Sequence, residues 1–317
     1  MILAYCNQKG GVGKSTTVYH HARAAILDGQ SVLVIDADPQ GNITSVLTED
    51  MQEGDVGVAD ALSSRSSDTL ADVLVPGIWE GLTVAPTVGD NLADVRNELV
   101  ISSEPGRESR LRAQLAAIQA EYDLVLIDCG PAIDPLTISA LTAADAVVIV
   151  SQSKLWSVNG LAKLMNTVSL VREHYNPQLT VAGLVLNAHE AHTLAGGHWA
   201  DELTAAAEAA QLPILTPPVP KRQAIADATE TARGLDEGDA QARIELGLEA
   251  VTNGDMPAAM DYFRAAAPRS RAAAHISRNR RTPAAFCGEQ SRRGHPMIIP
   301  FARLTLTAAV LALAVPI

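Results

Sequence analysis

The residues best suited to chemistry lie near the N-terminus, in the stretch Lys9-Gly10-Gly11-Val12-Gly13-Lys14-Ser15-Thr16. An apolar run, residues 2–6, precedes the stretch, and a helix-compatible segment, residues 16–27, follows it. A strand, a glycine-rich turn and a helix in this order form a phosphate cradle, because glycines let backbone N–H groups approach phosphate oxygens closely. We expect Lys14 to reach the β- and γ-phosphates of a nucleotide and the Ser15 hydroxyl to bind Mg²⁺. The alternative, a flexible turn with incidental lysines, is disfavoured by the flanking pattern.

The spacing in this loop is a variant of the usual phosphate-binding pattern. The common form has a glycine five positions before Gly13, where this chain has Gln8. A second lysine, Lys9, stands at the front of the loop instead. This K-G-G-x-G-K-[ST] form, the deviant Walker A motif, is far more specific than a glycine-rich loop alone. It predicts a nucleotide site formed by residues 9–16.

Two further apolar runs end in carboxylates. Residues 31–35 lead into Asp36-Ala37-Asp38-Pro39-Gln40-Gly41-Asn42, and residues 124–127 lead into Asp128. Both runs have the length and composition of buried parallel strands, and α/β sheets bind ligands at the carboxyl ends of such strands. We therefore expect these carboxylates beside the phosphate loop, with Asp128 holding Mg²⁺ through a water molecule. An exposed turn is the alternative for the two aspartates that follow residue 35.

The elements that must position these residues alternate along the chain. Apolar runs predict further strands over 82–86, 146–150 and 181–186. Helical spacing or composition predicts helices over 58–62, 107–122, 158–174 and 200–210. This alternation predicts an α/β fold, with a doubly wound, mainly parallel sheet and helices on both faces.

The charge of the chain is unevenly distributed. The 317 residues have a net charge of −12, but residues 264–317 contain nine arginines and a single acid. Residues 1–263 therefore contain 15 basic and 35 acidic side chains, a net charge of −20. Residues 1–263 are too acidic to bind nucleic acid through their net charge. Any DNA contact therefore requires a local basic patch or a partner.

The cysteines suggest a reducing compartment. Cys6, Cys129 and Cys287 are far apart and show no metal-ligand spacing, so a cytoplasmic location is the simplest interpretation. We expect no signal segment, because the phosphate loop begins too early to leave room for one. Cys129 follows a predicted magnesium ligand, and since Mg²⁺ prefers oxygen we interpret it as a buried residue without a catalytic role.

The run from Asp36 to Asn42, at this distance from a deviant Walker A loop, resembles the ParA-type partition ATPases, which are relatives of MinD. The resemblance covers residues 1 to about 235 and implies ATP and Mg²⁺ as cofactors. It implies that Asp38 positions the attacking water and supports Mg²⁺. It also implies an ATP-dependent homodimer in which Lys9 of each subunit reaches the nucleotide of the other.

The same resemblance implies contacts near the end of the matched region. Asn187 stands where relatives hydrogen-bond the adenine edge, and Pro218-Val219-Pro220 resembles the segment that packs on adenine. Lys221 takes the place of a DNA-contacting arginine and is followed by Arg222. A further arginine that is common three residues later is replaced by Ala224, which weakens the expectation of strong DNA binding.

The function implied by the resemblance is that of the ATPase of a plasmid or chromosome partition system. Its dimer would bind DNA non-specifically at the nucleoid, and a ParB-like centromere-binding partner would stimulate hydrolysis. A MinD-like membrane-associated positioning ATPase is the alternative, but it would need an amphipathic C-terminal helix. A metabolic amidotransferase would need a glutaminase domain, which residues 1–263 do not show, and an iron–sulfur carrier would need paired cysteines.

Three parts are predicted along the chain. The first is a ParA-like ATPase domain over 1–235, and the second is a helical segment over 236–266. The third is an arginine-rich tail over 267–317 whose composition is typical of disorder. The tail ends in an apolar stretch, 298–317, which is long enough to span a bilayer and could equally be an out-of-frame extension.

Overall fold

A single sheet organises the part of the chain that the computed structural model describes, residues 1–237 except 50, 53, 102–105, 155–156 and 191–192. Its strands are β1 Ile2–Cys6, β2 Val32–Ala37, β3 Val75–Pro76, β4 Leu82–Ala85, β5 Leu124–Cys129, β6 Ala146–Gln152, β7 Thr180–Asn187 and β8 Ile214–Leu215. Their order is β3-β4-β2-β5-β1-β6-β7-β8. The short edge strand β3 is antiparallel to β4, and the other neighbours are parallel.

Helices cover both faces of this sheet. They are α1 Lys14–Leu27, α2 Thr44–Leu47, α3 Val58–Leu62, α4 Asn91–Ile101, α5 Arg110–Ile118, α6 Pro135–Ala143, α7 Ser157–His174, α8 Leu194–Ala209 and α9 Gln223–Glu230. The apolar layer on one face includes residues of α1, α2 and α9. The layer on the other face includes residues of α3 to α8. This arrangement confirms the predicted doubly wound α/β fold.

The strands are apolar throughout because both of their faces are buried. On β2, Leu33 and Ile35 belong to one apolar layer, while Val32 and Val34 belong to the other. All four side chains are fully buried. Parallel sheets with helices on both faces give this continuous apolar pattern rather than an alternating one. The predicted strands are therefore confirmed to within one or two residues at their ends.

Some helices differ from the prediction. The predicted helix over 107–122 consists of α5 flanked by 3₁₀ turns at Arg107–Ser109 and Gln119–Glu121. The predicted helix over 200–210 begins earlier, at Leu194, because the Thr193 hydroxyl caps it by accepting a hydrogen bond from Gly196 N at 3.0 Å. Helices α2, α4, α6 and α9 and strands β3 and β8 were not predicted.

The last described segment packs on α1. The Arg23 guanidinium donates two hydrogen bonds to the Asp236 carboxylate, at 2.9 and 2.6 Å, and lies 5.0 Å from the centre of the Trp79 ring. The Tyr19 hydroxyl donates to the Arg233 carbonyl at 3.0 Å. The end of the predicted ATPase domain is thus attached to the helix that begins at the phosphate loop.

The C-terminal predictions fall almost entirely beyond this segment. The helical segment over 236–266 and the tail over 267–317 lie outside the described residues from position 238 onward, and so does the apolar stretch. Within the described residues, no helix has the length and apolar character needed to cross a membrane.

Candidate functional site

The phosphate loop joins β1 to α1 at the carboxyl edge of the sheet. Gly13 caps α1 in the left-handed region, with φ of 88°, and Gly11 also has a positive φ, 70°. Gly10 and Gly11 are exposed, whereas the Lys14 side chain is buried. The first N–H groups of a helix have no partner within the helix and attract anions. The loop and the start of α1 therefore have the backbone geometry expected of the predicted phosphate cradle, whose binding of phosphate stays a prediction.

Two other loops meet the phosphate loop at this edge. Asp36 on β2 pairs in register with Asp128 on β5, and β1 lies on the other side of β5. A Cβ placed on Gly130 would lie 3.3 Å from Asp38 Oδ1, and one placed on Gly10 would lie 3.8 Å from Pro131 Cβ. The structure thus brings the predicted carboxylates and the predicted phosphate loop together.

Asp128 is the most strongly perturbed carboxyl group of this cluster. It is fully buried, and neither of its carboxylate oxygens accepts a hydrogen bond of normal geometry from the described residues. Burial, followed by the negative charge of Asp36, raises its pKa to about 8, while Ser15 and Lys14 lie close enough to oppose this rise and Asp38 adds to it. A buried carboxylate whose oxygens accept no hydrogen bond of normal geometry from the described residues is suited to a cation. Beside a hydroxyl, it offers the hard oxygen ligands that Mg²⁺ prefers.

Asp36, unlike Asp128, is occupied by hydrogen bonds from the surrounding loops rather than available to a cation. Its carboxylate accepts hydrogen bonds from Thr44 N at 3.0 Å, from Thr44 Oγ1 at 2.6 Å and from Asp38 N at 3.1 Å. Thr87 N donates in turn to Thr44 Oγ1 at 2.9 Å. Burial raises the pKa of Asp36 to about 7 despite these hydrogen bonds. Asp36 therefore holds α2 and the loop after β2 in place, a role that sequence reasoning missed.

Asp38 lies in the loop that Asp36 supports. Its side chain is buried, and its Oδ1 accepts a hydrogen bond from Gln40 N at 3.0 Å. Because both Asp36 and Asp38 are buried, the alternative of an exposed turn is wrong.

Three side-chain amides contact the phosphate loop: Asn7, directly after β1, Gln152 on β6 and Asn187 on β7. Asn187 Nδ2 donates to Val12 O at 2.8 Å, and Gln152 Nε2 donates to Gly11 O at 2.9 Å. Asn7 Oδ1 accepts a hydrogen bond from Lys9 N at 2.9 Å. Asn7 Nδ2 donates to Val150 O. Sequence reasoning singled out Asn187 but not Asn7 or Gln152. No local signal marks Gln152, because its contact depends on a strand that is distant in sequence. The Asn7 contact with Lys9 is local, so the position of Asn7 shortly before the lysine could have indicated it.

The segment predicted to pack on adenine lies beside the end of β7. Val219 N donates to Leu186 O at 2.8 Å, and His189 N donates to Val219 O at 2.9 Å. Pro218 and Pro220 flank this buried valine and are themselves half-buried. The segment therefore borders the strand end that carries an amide to the phosphate loop.

The predicted DNA-contacting residues follow this segment. Lys221 is exposed, and its Nζ lies 2.8 Å from the exposed Glu190 carboxylate, which lowers the pKa of that carboxyl group. Arg222 is half-buried and occupies the N-cap position of α9. The two residues thus differ in accessibility.

Cys129 follows Asp128 in the chain at the end of β5. It is buried, and contact with the Cys6 thiol together with burial raises its pKa. A raised thiol pKa disfavours the reactive thiolate. The interpretation of Cys129 as a buried residue is confirmed.

Comparison with known proteins gives consistent matches. A family model described as an AAA domain matches residues 1–181. The sporulation initiation inhibitor protein Soj of Bacillus subtilis is 40% identical over 195 residues, which cover 62% of this chain and 75% of Soj. The chromosome partitioning protein ParA of Caulobacter vibrioides is 39% identical over 191 residues, which cover 60% of this chain and 70% of that protein.

Solved structures share the fold. Cobyrinic acid a,c-diamide synthase from Mycobacterium smegmatis, with bound ADP and magnesium, is 33% identical with a TM-score of 0.63, covering 74% of this chain and 93% of the synthase. A plasmid partition protein from Borrelia burgdorferi, bound to AMPPNP, is 20% identical with a TM-score of 0.60, covering 73% of this chain and 90% of that one. At the lower identity the likeness concerns the fold alone.

Proposed function

Since this chain belongs to the AAA domain family and, within it, to the ParA/MinD-type ATPases, we propose that it binds and hydrolyses Mg²⁺-ATP to drive DNA partitioning. The observation that carries the ATPase proposal is the buried Asp128 carboxylate beside Ser15 and Lys14, neither of whose oxygens accepts a hydrogen bond of normal geometry from the described residues. A cation there would balance the carboxylate charge, next to a helix start suited to phosphate.

Each residue of the site has a role in this proposal. Backbone N–H groups of residues 10–15 and the Lys14 ammonium bind the triphosphate. Ser15, Asp38 and Asp128 would hold Mg²⁺, which neutralises charge on the phosphate being transferred. Asp38 also orients the water that attacks the γ-phosphate, and its position beside Gly130 supports this role. The hydrogen bond from Asp38 N to the Asp36 carboxylate keeps the Asp38 side chain in the site.

The partition part of the proposal rests on the named relatives and on the residues at the edge of the site. The chromosome partitioning protein ParA of Caulobacter vibrioides is among the relatives. We propose that ATP joins two copies of this chain, with Lys9 of each copy contacting the nucleotide of the other. The resulting cytoplasmic dimer binds DNA non-specifically through Lys221 and Arg222, and a ParB-like centromere-binding partner stimulates hydrolysis. Since residues 1–263 have a net charge of −20, the doubled basic patch of a dimer is needed for measurable binding.

The ATPase proposal is tested with single substitutions in the full chain. Lys14→Ala should lose ATP binding, because the buried ammonium next to the phosphates is removed. Asp38→Ala should bind ATP but fail to hydrolyse it, as measured by phosphate release and by calorimetric titration. Asp28→Ala, at an exposed position after α1, is the matched control and should behave as the unmodified chain. Hydrolysis by Asp38→Ala at the unmodified rate would exclude the role given to this residue.

The dimer is tested by light scattering with a non-hydrolysable ATP analogue. Lys9→Ala should retain ATP, because Lys14 of the same subunit covers the phosphates, but it should remain monomeric. Dimerisation of Lys9→Ala at unmodified strength would contradict the contact across the dimer.

The DNA surface is tested by comparing duplex DNA with anionic liposomes, each with ATP and with ADP. The nine arginines of residues 264–317 attract DNA with either nucleotide, so the difference between ATP and ADP is the relevant quantity. This difference should be salt-sensitive on DNA and smaller when Lys221 and Arg222 are both changed to alanine. ATP-dependent binding to liposomes without binding to DNA would favour a MinD-like membrane-associated ATPase instead.

A further inference from the structure

Two amide side chains at the ends of neighbouring strands hold consecutive carbonyls of the phosphate loop. Gln152 on β6 and Asn187 on β7 are register partners in the sheet. The Gln152 amide donates to Gly11 O at 2.9 Å, and the Asn187 amide donates to Val12 O at 2.8 Å. The phosphate loop is therefore hydrogen-bonded to two strands that lie far from it in the sequence.

These hydrogen bonds determine where the next two N–H groups point. In a planar trans peptide, the C=O of one residue and the N–H of the following residue point in opposite directions. Holding Gly11 O against Gln152 therefore turns the Val12 N–H away from β6. Holding Val12 O against Asn187 likewise turns the Gly13 N–H away from β7. Both N–H groups belong to the predicted phosphate cradle.

The packing around Asn187 indicates that its side chain acts on the phosphate loop. Its side chain is buried, and a Cβ on Gly13 would overlap its amide. The left-handed conformation of Gly13 and this close approach both require glycine. The loop and the amide thus fit against each other tightly.

We propose that Gln152 and Asn187 are positioning residues that preset the Val12 and Gly13 N–H groups for the triphosphate. Their action is then independent of the nucleotide base, unlike the contact with adenine that family resemblance implies for Asn187. The inference rests on the proposed function and deepens it, because it concerns the same ATP site.

The test uses two substitutions that keep side-chain size but remove the donor, Asn187→Leu and Gln152→Met, in the full chain. Affinity is measured by calorimetric titration with Mg²⁺-ATP and with Mg²⁺ and inorganic triphosphate, which has no base. Leaving a loop carbonyl without its donor should weaken binding roughly tenfold. The factor should be the same for both probes. Gln119→Met, at an exposed position, is the matched control and should bind both probes as the unmodified chain does.

The outcomes separate the alternatives. Equal weakening of ATP and triphosphate in both variants supports the inference. Weakening of ATP alone in Asn187→Leu would overturn it in favour of a contact with adenine, and binding at unmodified strength by both variants would overturn it outright. Absence of triphosphate and ATP binding by the unmodified chain would instead refute the proposed function, and this inference with it. Thermal melts identify any variant that does not fold. If Asn187→Leu does not fold, Gln152→Met still tests the inference, because Gln152 is only half-buried.

Discussion

Replacing Asp128 by asparagine removes an ionisable group from the buried centre of the site while keeping its size. The Asp128 pKa is about 8 in the folded chain without metal, against an ordinary value of 3.8. Between these values the folded state holds a proton that the unfolded state has released. Stability must therefore fall as the pH rises from about 4 to about 8.

The size of this effect follows from the shifted pKa. Between pH 6 and pH 8 the unfolded carboxyl group is fully ionised, while the folded group changes from protonated to half-ionised. Integrating the linkage relation over this interval gives a loss of about 2 kcal/mol in the free energy of unfolding. Asp36, with a pKa of about 7, adds a loss of about 1 kcal/mol that remains after Asp128 is replaced.

The assay is urea denaturation of the metal-free protein, followed by circular dichroism at pH 6 and at pH 8 with a chelator present. The unmodified chain should lose about 2 kcal/mol more than Asp128→Asn between the two pH values. Asp28→Asn, at an exposed site, is the control and should follow the unmodified chain. In a separate series without the chelator, addition of Mg²⁺-ATP should stabilise the unmodified chain and have little effect on Asp128→Asn. An identical pH dependence in Asp128→Asn and the unmodified chain would refute the reasoning, because it would mean that the carboxylate is not desolvated.

Three further substitutions test the surroundings of the site. Gly13→Ala forces a left-handed backbone on alanine and overlaps the amide against the loop, so calorimetry should show at least a tenfold loss of ATP affinity; unchanged affinity would contradict this packing. Arg23→Met removes the paired hydrogen bonds to Asp236 and should speed amide exchange in α9, with a loss of about 1 kcal/mol in urea denaturation; unchanged exchange would show that this ion pair does not hold the segment. Thr44→Val removes the hydroxyl that donates to buried Asp36 and should cost about 2 kcal/mol by the same measurement, whereas a neutral result would argue against the support of α2.

The parts of the site that depend on local spacing could be predicted from the amino-acid sequence. Glycines with fixed separations specify a loop that closes on phosphate, and a continuous apolar run specifies a buried strand with its carboxylate at the end. Lys14, Asp38 and Asp128 could be placed at one edge for this reason, and the structure places them there. The doubly wound fold followed from the alternation of such runs with helices. Amphipathic spacing could also have identified α4, in which Leu92, Val95 and Leu99 are buried.

Other helices lacked a usable pattern. Seven of the nine residues of α6 are buried, so the helix has no polar face to produce a helical period. Its start was nevertheless marked, because Asp134 caps it and Pro135 occupies its first position. Helix α9 buries only Ile225 and Ala228, too few apolar positions to establish a period.

The way in which distant residues combine is seen only in the folded chain. The sheet order places β6 and β7 beside the phosphate loop, so that Gln152 and Asn187 meet carbonyls more than 140 positions earlier in the chain. Asp36 supports the loops, whereas Asp128 accepts no hydrogen bond of normal geometry from the described residues, and this difference depends on which groups surround each carboxylate. Hydrogen bonding and desolvation are properties of neighbours in space, and the order of strands that creates those neighbours is not encoded in any local run of residues.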